Sequence, residues 1–354
     1  MDMALLSVLT VNSGSSSLKA SLFTKDGRRN FRYEHLDGGQ QAAFDALMRE
    51  IGRVPDVIGH RIVHGGDIAE PARLVDDKER ARLESLVPLA PLHLPGNLLG
   101  IDLCSNFGAP QVACFDTAFH AGMPELSRRL PIPEKFGLRR YGFHGLNYAH
   151  VAKKLPEILG EAAKGKVIAA HLGSGASLCL MQNLQSVDTT MGFSPAGGIV
   201  MGTRSGDLDP GIMLALSNHL DRTALSDAVY HEMGLLALSN GESPEMTDLL
   251  ASKSRHARFA VDYFCSSVRA AIGAFAAKAG GVDALVFSGG IGEHSPEIRR
   301  KIIAPLAFLG FSLDEHANLA DHQRISGSDS RPVLVVPADE EIMIRDFCLD
   351  LISA

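Results

Sequence analysis

The sequence contains the same strand–turn–strand pattern twice, roughly half a chain apart. Residues 8–23 read VLTVNSGSSSLKASLF, and residues 167–182 read VIAAHLGSGASLCLMQ. In both, a polar glycine turn separates two apolar runs, and aligning Gly14 with Gly173 brings Ser15–Ser17 opposite Ser174–Ala176. Backbone N–H groups and hydroxyls in such a turn can surround phosphate oxygens, although a single serine-rich turn is common. The repetition therefore predicts a duplicated α/β fold that clamps a nucleotide between two halves.

A third glycine cluster follows a later apolar run. Residues 284–302 read ALVFSGGIGEHSPEIRRKI, where a strand leads into Gly289, Gly290 and Gly292, and a helix is predicted to begin near Pro296. None of the three clusters has the G-x-x-x-x-G-K-[ST] or G-x-G-x-x-G spacing. The sequence thus indicates hairpin phosphate turns rather than a P-loop or a dinucleotide-binding fingerprint.

Short β-rich runs alternate with helical patterns along the chain, which is typical of α/β layering. The predicted strands are Val8–Val11, Lys19–Phe23, Val57–Arg61, Gln111–Phe115, Val167–His171, Leu178–Met181, Ala284–Phe287 and Pro332–Val336. The predicted helices are Gln40–Ile51, Asp77–Leu86, Leu94–Ser105, Asn147–Leu155, Gly211–His219, Lys253–Ala279, Glu297–Ile303 and a last one from Glu340 onward. The longest of them is expected to be buried at a domain or subunit contact. We expect one domain of residues 1–145 plus 341–354 and a second of residues 146–340.

Composition excludes several classes of protein. The 354 residues suffice for two domains with separate cores. A net charge of −7 and a pI near 6.0 argue against a general nucleic-acid binder. Five cysteines without C-x-x-C spacing indicate neither a disulfide framework nor a zinc site. The N-terminus lacks a basic signal region and no apolar run reaches transmembrane length, so we expect a cytoplasmic enzyme that does not bind membranes.

Two predicted strands end in charged side chains. In GHRIVHGGD, residues 59–67, Arg61 precedes a glycine turn and can bind a carboxylate or phosphate through two hydrogen bonds. The alternative is an ordinary surface arginine in a turn. In VACFDTAFH, residues 112–120, Asp116 follows an apolar strand, where ligands of α/β sheets gather. Asp116 could hold Mg²⁺ through water or act as a base.

Two further clusters combine glycine with titratable groups. In RRYGFHGLNYAH, residues 139–150, His144 stands next to Gly145 and can reach a cleft, although most of the fourteen histidines must be structural or solvated. In MGTRSGDLDP, residues 201–210, Arg204 offers a second guanidinium to an anionic transition state. Asp207 and Asp209 are either metal ligands or helix caps, and a cap is favoured for Asp209 because Pro210 follows it.

Nine segments together resemble the ordered motif set of the acetate kinase family. They are NSGSSSLK, GHRIVHGG, PLHLPGNLLGI, FDTAFH, YGFHG, HLGSGAS, MGFSPAGGIVMGTRSGDLDP, SGGIGEHS and PADEE, and they extend from near residue 8 to near residue 346. The resemblance implies an α/β, duplicated actin-like or sugar-kinase-like ATPase fold, with two domains and a nucleotide cleft between them. It also implies reversible phosphoryl transfer from ATP to a short-chain carboxylate, dependent on Mg²⁺ (or Mn²⁺), giving ADP and an acyl phosphate, in a homodimer.

The resemblance also implies roles for individual residues. Arg61 and Arg204 would bind the carboxylate and the phosphoryl group, Asp116 would position Mg²⁺ and the attacking carboxylate, and His144 would stabilise the transition state. The nucleotide and its phosphates would be bound by Asn12, Lys19, His171, Gly173, Ser174, Gly175, Gly289, Gly290, Ile291, Gly292 and His294. Asn12 and Glu340 would support the metal. The acyl pocket would be lined by Arg61, Val63, Leu92, Phe143 and Pro195.

The chain departs from the family pattern at several positions. Ser174, His294 and Asp339 each stand where the family usually has asparagine, Gly197 stands where it has glutamate, and Leu94 and Gly96 lie in a loop that the family writes HNPxN. The chain is also a few tens of residues shorter, with the gap between Phe23 and Val57. These differences bear on the phosphoryl-donor preference and affinity.

Three functions are compatible with these residues. An acetate kinase is favoured, since Val63 makes a fairly large pocket wall. A propionate or butyrate kinase would differ by only a few methylene-sized contacts, each worth about 1–3 kcal/mol of discrimination. A catalytically weak, nucleotide-binding regulatory relative could share the fold, but the presence of Arg61, Asp116, His144 and Arg204 argues against it. The sequence does not indicate which direction of the reaction is physiological.

Overall fold

A computed structural model describes residues 6–14, 17–34, 36 and 39–353 of the chain. Ser15 and Ser16, two of the hydroxyl residues assigned to the first phosphate turn, lie outside these residues. The described part consists of two compact units. Unit 1 contains residues up to Ala121, Phe143–His150 and the segment from Asp339 onward, and unit 2 contains Gly122–Gly142 and Val151–Ala338.

The chain alternates strands with helices, as the sequence predicts. The strands are β1 (Val8–Ser13), β2 (Ser17–Thr24), β3 (Gly27–Glu34), β4 (Val57–Ile62), β5 (Ala72–Leu74), β6 (Gln111–Phe115), β7 (Val167–Leu172), β8 (Ala176–Gln182), β9 (Gln185–Thr189), β10 (Ala284–Ser288) and β11 (Val333–Val335). The helices are α1 (Gln40–Ile51), α2 (Asp77–Ser85), α3 (Leu94–Cys104), α4 (Glu125–Arg128), α5 (Gly145–Leu159), α6 (Pro210–Ser217), α7 (Arg222–Asp227), α8 (Gly234–Leu238), α9 (Met246–Ala251), α10 (Arg255–Ala279), α11 (Gly289–His294), α12 (Pro296–Ile303), α13 (Glu315–Leu319) and α14 (Glu340–Ser353). In the part of the chain described, no helix is both long and apolar enough to cross a membrane.

Unit 1 is built on a mixed sheet with the strand order β3-β2-β1-β4-β6-β5. The hairpin β1–β2 is antiparallel, whereas β1, β4 and β6 run parallel, so their carboxyl ends meet at one edge. Apolar side chains of α1 pack on one face of the sheet, and those of α14 pack on the other. Gly59 on β4 makes this second approach close, because a Cβ there would lie 2.5 Å from the Sγ of Cys348 on α14.

Unit 2 repeats this arrangement. Its sheet has the order β11-β10-β7-β8-β9, in which β7–β8–β9 are antiparallel neighbours and β7, β10 and β11 are parallel. The long helix α10 buries one face within the unit, through residues such as Phe264 and Ile272, while Phe259 and Tyr263 on its other face are exposed. The helix expected to be buried at a domain or subunit contact thus buries one face in the core of its own unit and exposes the other.

The two units divide the chain differently from the domains expected from the sequence. Residues 122–142 lie in unit 2 because their polar groups bond to its sheet: Arg140 donates to the carbonyls of Thr189 and Thr190, and the N–H of Tyr141 donates to the carbonyl of Gly192. The start of α5 lies in unit 1, where Leu146 packs in its core. Asp339 and Glu340 also belong to unit 1.

Candidate active site

Arg61 and Asp116 meet at the carboxyl edge of the sheet in unit 1. Arg61 is the penultimate residue of β4 and pairs in register with Cys114 on β6, two residues before Asp116. Its Nη2 lies 2.6 Å from Oδ2 of Asp116 and its Nε lies 3.0 Å from the same oxygen. The Asp116 side chain is almost fully buried, and its Oδ1 accepts no hydrogen bond from any described residue. One carboxylate oxygen is thus anchored and the other is unused.

The surroundings shift the pKa of both groups. Burial raises the pKa of the Asp116 carboxyl to about 6; Arg61 opposes this shift, and the charge of Glu340 adds to it. Burial alone would lower the pKa of the Arg61 guanidinium, but Asp116 and Glu340 outweigh it and raise that pKa above its ordinary value. The site therefore keeps a permanent positive charge beside a carboxyl group that is costly to ionise.

Glu340 brings a second carboxylate to Arg61 from the first residue of α14. Its Oε2 lies 3.2 Å from the Arg61 Nε. The preceding residue, Asp339, accepts hydrogen bonds of 2.7 and 2.8 Å from Nη1 of Arg28 on β3 and one of 3.1 Å from the Ile342 N–H. Asp339 thus caps the helix and holds its beginning at the sheet. This contact between distant segments of the sequence was not evident from the motif PADEE.

His144 occupies a backbone conformation that L residues rarely adopt. Its φ is 59°, and its carbonyl accepts the N–H of Tyr148 in the first turn of α5. The next residue must be glycine, because a Cβ on Gly145 would lie 2.0 Å from the carbonyl oxygen of Asp116, which accepts the Gly145 N–H. Such conformations concentrate at functional sites. The segment YGFHG thereby fixes His144 directly before Gly145, whose N–H bonds to the Asp116 carbonyl.

The other predicted residues of unit 1 lie around the same strand ends. Val63 is buried directly after β4, and Phe143 is buried with its ring edge-on to His64, at a centroid distance of 5.8 Å. Leu92 is half-buried in the turn before α3. On the hairpin, half-buried Asn12 pairs in register with Lys19, whose side chain is exposed.

In unit 2, Arg204 lies on a loop stabilised by its own backbone. Its Nη1 donates to the carbonyl of Pro195 at 2.6 Å, and its own carbonyl accepts the Met201 N–H. No carboxylate pairs with Arg204 among the residues described, and burial lowers the pKa of its guanidinium. A partly buried guanidinium without a counter-ion is a favourable site for an anion.

The two aspartates that follow Arg204 are used in backbone hydrogen bonds. Oδ1 of Asp207 accepts the Gly198 N–H at 2.7 Å, and Oδ1 of Asp209 accepts the Gly211 N–H at 2.6 Å as the N-cap of α6. The capping interpretation of Asp209 is confirmed. Asp207 closes the loop that carries Arg204.

In unit 2, two glycine clusters directly follow strands, and each contains an exposed residue. In the β7–β8 turn, the Gly173 N–H bonds to the Gly175 carbonyl at 3.1 Å, Ser174 is exposed and His171 is half-buried. The third cluster begins a helix, α11, directly after β10. Gly289 has a φ of 77° and a Cβ there would lie 2.7 Å from the Leu172 carbonyl oxygen, so only glycine fits. Gly290 and His294 are exposed, Ile291 is partly buried and Gly292 is buried.

One polar side chain at these strand ends was not singled out by the sequence. Asn97, in the first turn of α3, is 4% exposed and bonds both to the Val63 N–H and to the Ser13 carbonyl. Its signal in the sequence is a polar residue within the otherwise apolar run LPGNLLGI. No group of three or more His, Cys, Asp or Glu side chains arranged to hold a metal occurs in the described ranges.

The fold and these residues define a class. Two α/β units, each with a glycine hairpin beside parallel strands, form a two-domain fold of the actin-like ATPase type, and the buried arginine and carboxylate pair adds the groups of a phosphotransferase. Residues 41–346 match the model of the Acetokinase family. The chain belongs to the acetokinase family, and it is a kinase of that family.

Relatives with assigned names cover nearly the whole chain. An acetate kinase from Nitrobacter hamburgensis is 42% identical over 98% of this chain and 96% of its own, and one from Rhizobium meliloti is 41% identical over 98% of both. Among solved structures, a propionate kinase from Francisella tularensis has a TM-score of 0.87 at 31% identity, covering 97% of this chain and 99% of its own. An acetate kinase from Porphyromonas gingivalis has a TM-score of 0.85 at 31% identity, covering 98% and 100%. The predicted family and fold are confirmed.

Proposed function

We propose that this enzyme transfers the γ-phosphoryl group of ATP to acetate, reversibly, giving acetyl phosphate and ADP. An acetate oxygen forms the new bond to phosphorus, the bond from phosphorus to the β,γ-bridging oxygen breaks, and its electron pair stays on ADP. The observation that carries this proposal is the pair of partly buried Arg61 and buried Asp116, whose Oδ1 has no hydrogen-bond partner among the described residues. It supports a site for an anionic substrate rather than a structural ion pair.

The residues suit an acceptor that is already charged. Acetate is ionised at neutral pH, so its attack needs no general base, and the difficulty is to bring it to a polyanion. In our proposal Arg61 and Arg204 neutralise the carboxylate and the phosphoryl oxygens, and His144 donates a hydrogen bond to the equatorial oxygens as charge develops. Asp116 orients Arg61. Arg204 is partly buried and has no carboxylate partner among the described residues, which supports its part.

We further propose that Mg²⁺ (or Mn²⁺) accompanies ATP. The candidate ligands are oxygens: Oδ1 of Asp116, the Glu340 carboxylate and the Asn12 side chain. This set fits a hard cation that takes one or two protein carboxylates and completes its shell with water and phosphates. When bound, the ion would neutralise charge on the phosphates and keep them in line with the acceptor. The sites of the nucleotide are proposed as the β7–β8 turn at exposed Ser174 and the beginning of α11 at exposed Gly290.

A propionate kinase is the second candidate, supported by the structural relative of that name. Its acceptor has one more methylene, which the proposed pocket residues of unit 1, Val63, Leu92 and Phe143, must admit or exclude. Val63 is buried and β-branched, and so forms a stiff wall, which favours the shorter acid.

We also propose a cytoplasmic homodimer. All five cysteines are free and buried, as is typical of a reducing compartment. Helix α6 has the sequence PGIMLALS without a buried residue, and Leu214 on it is 70% exposed. An apolar helix of this kind supports burial against a second copy. Light scattering of Leu214→Glu beside the unchanged protein tests this, and a monomeric unchanged protein would contradict it.

The activity is tested by trapping acyl phosphate as hydroxamate. Acetate, propionate and butyrate are each combined with ATP, GTP or pyrophosphate, with Mg²⁺ or with chelator. We expect the highest kcat/KM with acetate, ATP and Mg²⁺, and no product with chelator. The absence of acyl phosphate with every pair would overturn the enzymatic proposal and favour a regulatory relative.

A further inference from the structure

Asn97 joins the carboxyl ends of two neighbouring strands through its side chain. Its Oδ1 accepts the Val63 N–H at 3.1 Å, and its Nδ2 donates to the Ser13 carbonyl at 2.8 Å. Ser13 is the last residue of β1, and Val63 follows the last residue of β4. The backbone pairing between these parallel strands ends at Val11 and His60, so the amide continues the connection beyond the last pair.

The primary amide of Asn97 accepts one bond through its oxygen and donates the other through its nitrogen. One partner is a backbone donor and the other a backbone acceptor, and both lie in a buried region where an unpaired polar group is costly. Aspartate would keep the acceptor but direct a second oxygen at the Ser13 carbonyl. An aliphatic side chain would leave both backbone groups without the partner that Asn97 supplies.

Gly100 allows helix α3 to come this close. It lies three residues after Asn97, on the same side of the helix, and a Cβ on it would be 2.9 Å from the Cβ of Ser13. The distance between α3 and the end of β1 is therefore set by the absence of a side chain at Gly100. Asn97 thus bonds to the Ser13 carbonyl, and Gly100 lies close to the Ser13 side chain.

We propose that Asn97 is a positioning residue for the acyl pocket. It holds Val63, the wall of that pocket, in a fixed position relative to Ser13, the last residue of β1, and thereby sets the acyl-chain selectivity. The proposal rests on the proposed function of the acyl pocket. Loss of the amide frees the Val63 backbone, so that the wall can move away from the pocket and admit a longer acyl chain. Asn97 itself need not touch the substrate.

The same two strands provide a matched control at their opposite ends. There Ser7 and Asp56 bridge β1 and β4, with the Ser7 N–H and Oγ donating to Oδ2 of Asp56 at 2.7 and 2.6 Å. The Asp56 N–H donates back to Oγ of Ser7 at 3.0 Å. This bridge joins the same two strands as Asn97 does, but at the edge away from Arg61 and Val63.

The experiment compares the unchanged enzyme with Asn97→Asp, Gly100→Ala and Asp56→Asn. For each, kcat and KM are measured for acetate, propionate and ATP, together with the thermal unfolding midpoint. We expect Asn97→Asp to raise the KM for acetate about tenfold and to lower the acetate-to-propionate ratio of kcat/KM by about tenfold, the effect of one methylene. Gly100→Ala should shift the ratio in the same direction, and Asp56→Asn should lower only the unfolding midpoint.

Each outcome is decisive. An unchanged ratio in Asn97→Asp overturns the proposal, as does an equal shift in Asp56→Asn, because the amide would then be a structural tie. If Asn97→Asp does not fold, Gly100→Ala decides in its place. Failure of the proposed function is recognised separately, since the unchanged enzyme would then form no acyl phosphate from either acid.

Discussion

The two units share one sheet topology but carry different chemistry at the same positions. Val8 pairs with Val57 in unit 1, and Val167 pairs with Ala284 in unit 2. When the two hairpins are aligned through Gly14 and Gly173, counting along these registers brings Arg61 opposite Ser288.

The next strand extends the same comparison. Arg61 pairs with Cys114 on β6, two residues before Asp116. In unit 2, Phe287 pairs with Val335 on β11, which brings Ala338 opposite Asp116. The two positions that hold a buried ion pair in unit 1 thus hold small residues in unit 2.

The two units of this duplicated fold therefore contribute different chemical groups at equivalent strand ends. In unit 1 the strand ends hold a partly buried arginine and a buried aspartate, which pair with each other and shift each other's pKa. In unit 2 the strand β10 is followed at once by α11, and a glycine is required where the helix begins. Its guanidinium, Arg204, comes from a loop instead. Unit 1 has an ion pair at its strand ends, whereas unit 2 has exposed serine and glycine residues there.

Loss of a guanidinium should have the largest effect. We expect Arg61→Ala and Arg204→Ala each to lower kcat about a thousandfold, as arginine fingers do in other phosphoryl transferases. Ser288 occupies the position in unit 2 that corresponds to Arg61, and Ser288→Ala should lower kcat less than tenfold. Arg300→Ala serves as the control, since Arg300 only pairs with exposed Glu315. A thousandfold loss in Ser288→Ala would refute the division of labour between the units.

Acidification should destabilise unit 1 through its buried histidines. His60 is fully buried and bonds to Oε1 of Gln111 at 2.7 Å, and burial lowers its pKa from 6.5 to about 4. Below pH 6.5 the unfolded chain binds a proton that the folded chain refuses. The stability contribution is therefore complete above pH 6.5 and is lost as the pH falls towards 4. At about 1.4 kcal/mol per pKa unit, the loss approaches about 3 kcal/mol.

Urea unfolding between pH 4.5 and 7.5 measures this effect. His60→Gln cannot take up a proton, so its free energy of unfolding should depend on pH less steeply than that of the unchanged protein, by about 1.4 kcal/mol per pH unit. Parallel curves for the two proteins would show that His60 does not contribute. His120, also in unit 1 and with its pKa lowered by burial to about 4, provides a second variant of the same kind.

Substitution by alanine should have different effects at two adjacent glycines of unit 2. Gly289→Ala meets the Leu172 carbonyl and forces an alanine to a φ of 77°, which alone costs about 1–2 kcal/mol. We expect a lower unfolding midpoint and a KM for ATP raised about tenfold. Gly290→Ala meets no atom within 4 Å and should change stability little. Equal unfolding midpoints for the two variants would contradict the close approach of α11 to β7.

The smallest effect is expected at the exposed turn of unit 2. Ser174→Asn restores the amide that the family usually has there and can add one hydrogen bond to a phosphate. A single hydrogen bond contributes about 0.5–1.5 kcal/mol, so the KM for ATP should fall by about two- to tenfold with kcat little changed. Equilibrium binding of ADP to both proteins checks this, and unchanged affinity would remove Ser174 from the phosphate site.

Much of the fold could be predicted from local patterns. The strand Gln111–Phe115 and the helix Gln40–Ile51 have the predicted bounds because their apolar periodicity is strong. β3 was missed, since GRRNFRYE is mostly charged and forms a strand only through pairing with β2. The helix α11 was read as a glycine cluster, because glycine is a poor helix former in isolation and packing against β7 decides its conformation.

The sequence by itself determined the family and the duplication, and it predicted Arg61, Asp116, His144 and Arg204 as residues of the site. These follow from short-range features: apolar periodicity, glycine turns and the order of motifs. Only the tertiary structure decided which groups touch. It brought Glu340 to Arg61, although 279 positions separate residues 61 and 340 in the sequence. It also joined Asn97 to two strand ends. Burial and hydrogen-bond partners depend on atoms distant in sequence, and so does the pKa of Asp116.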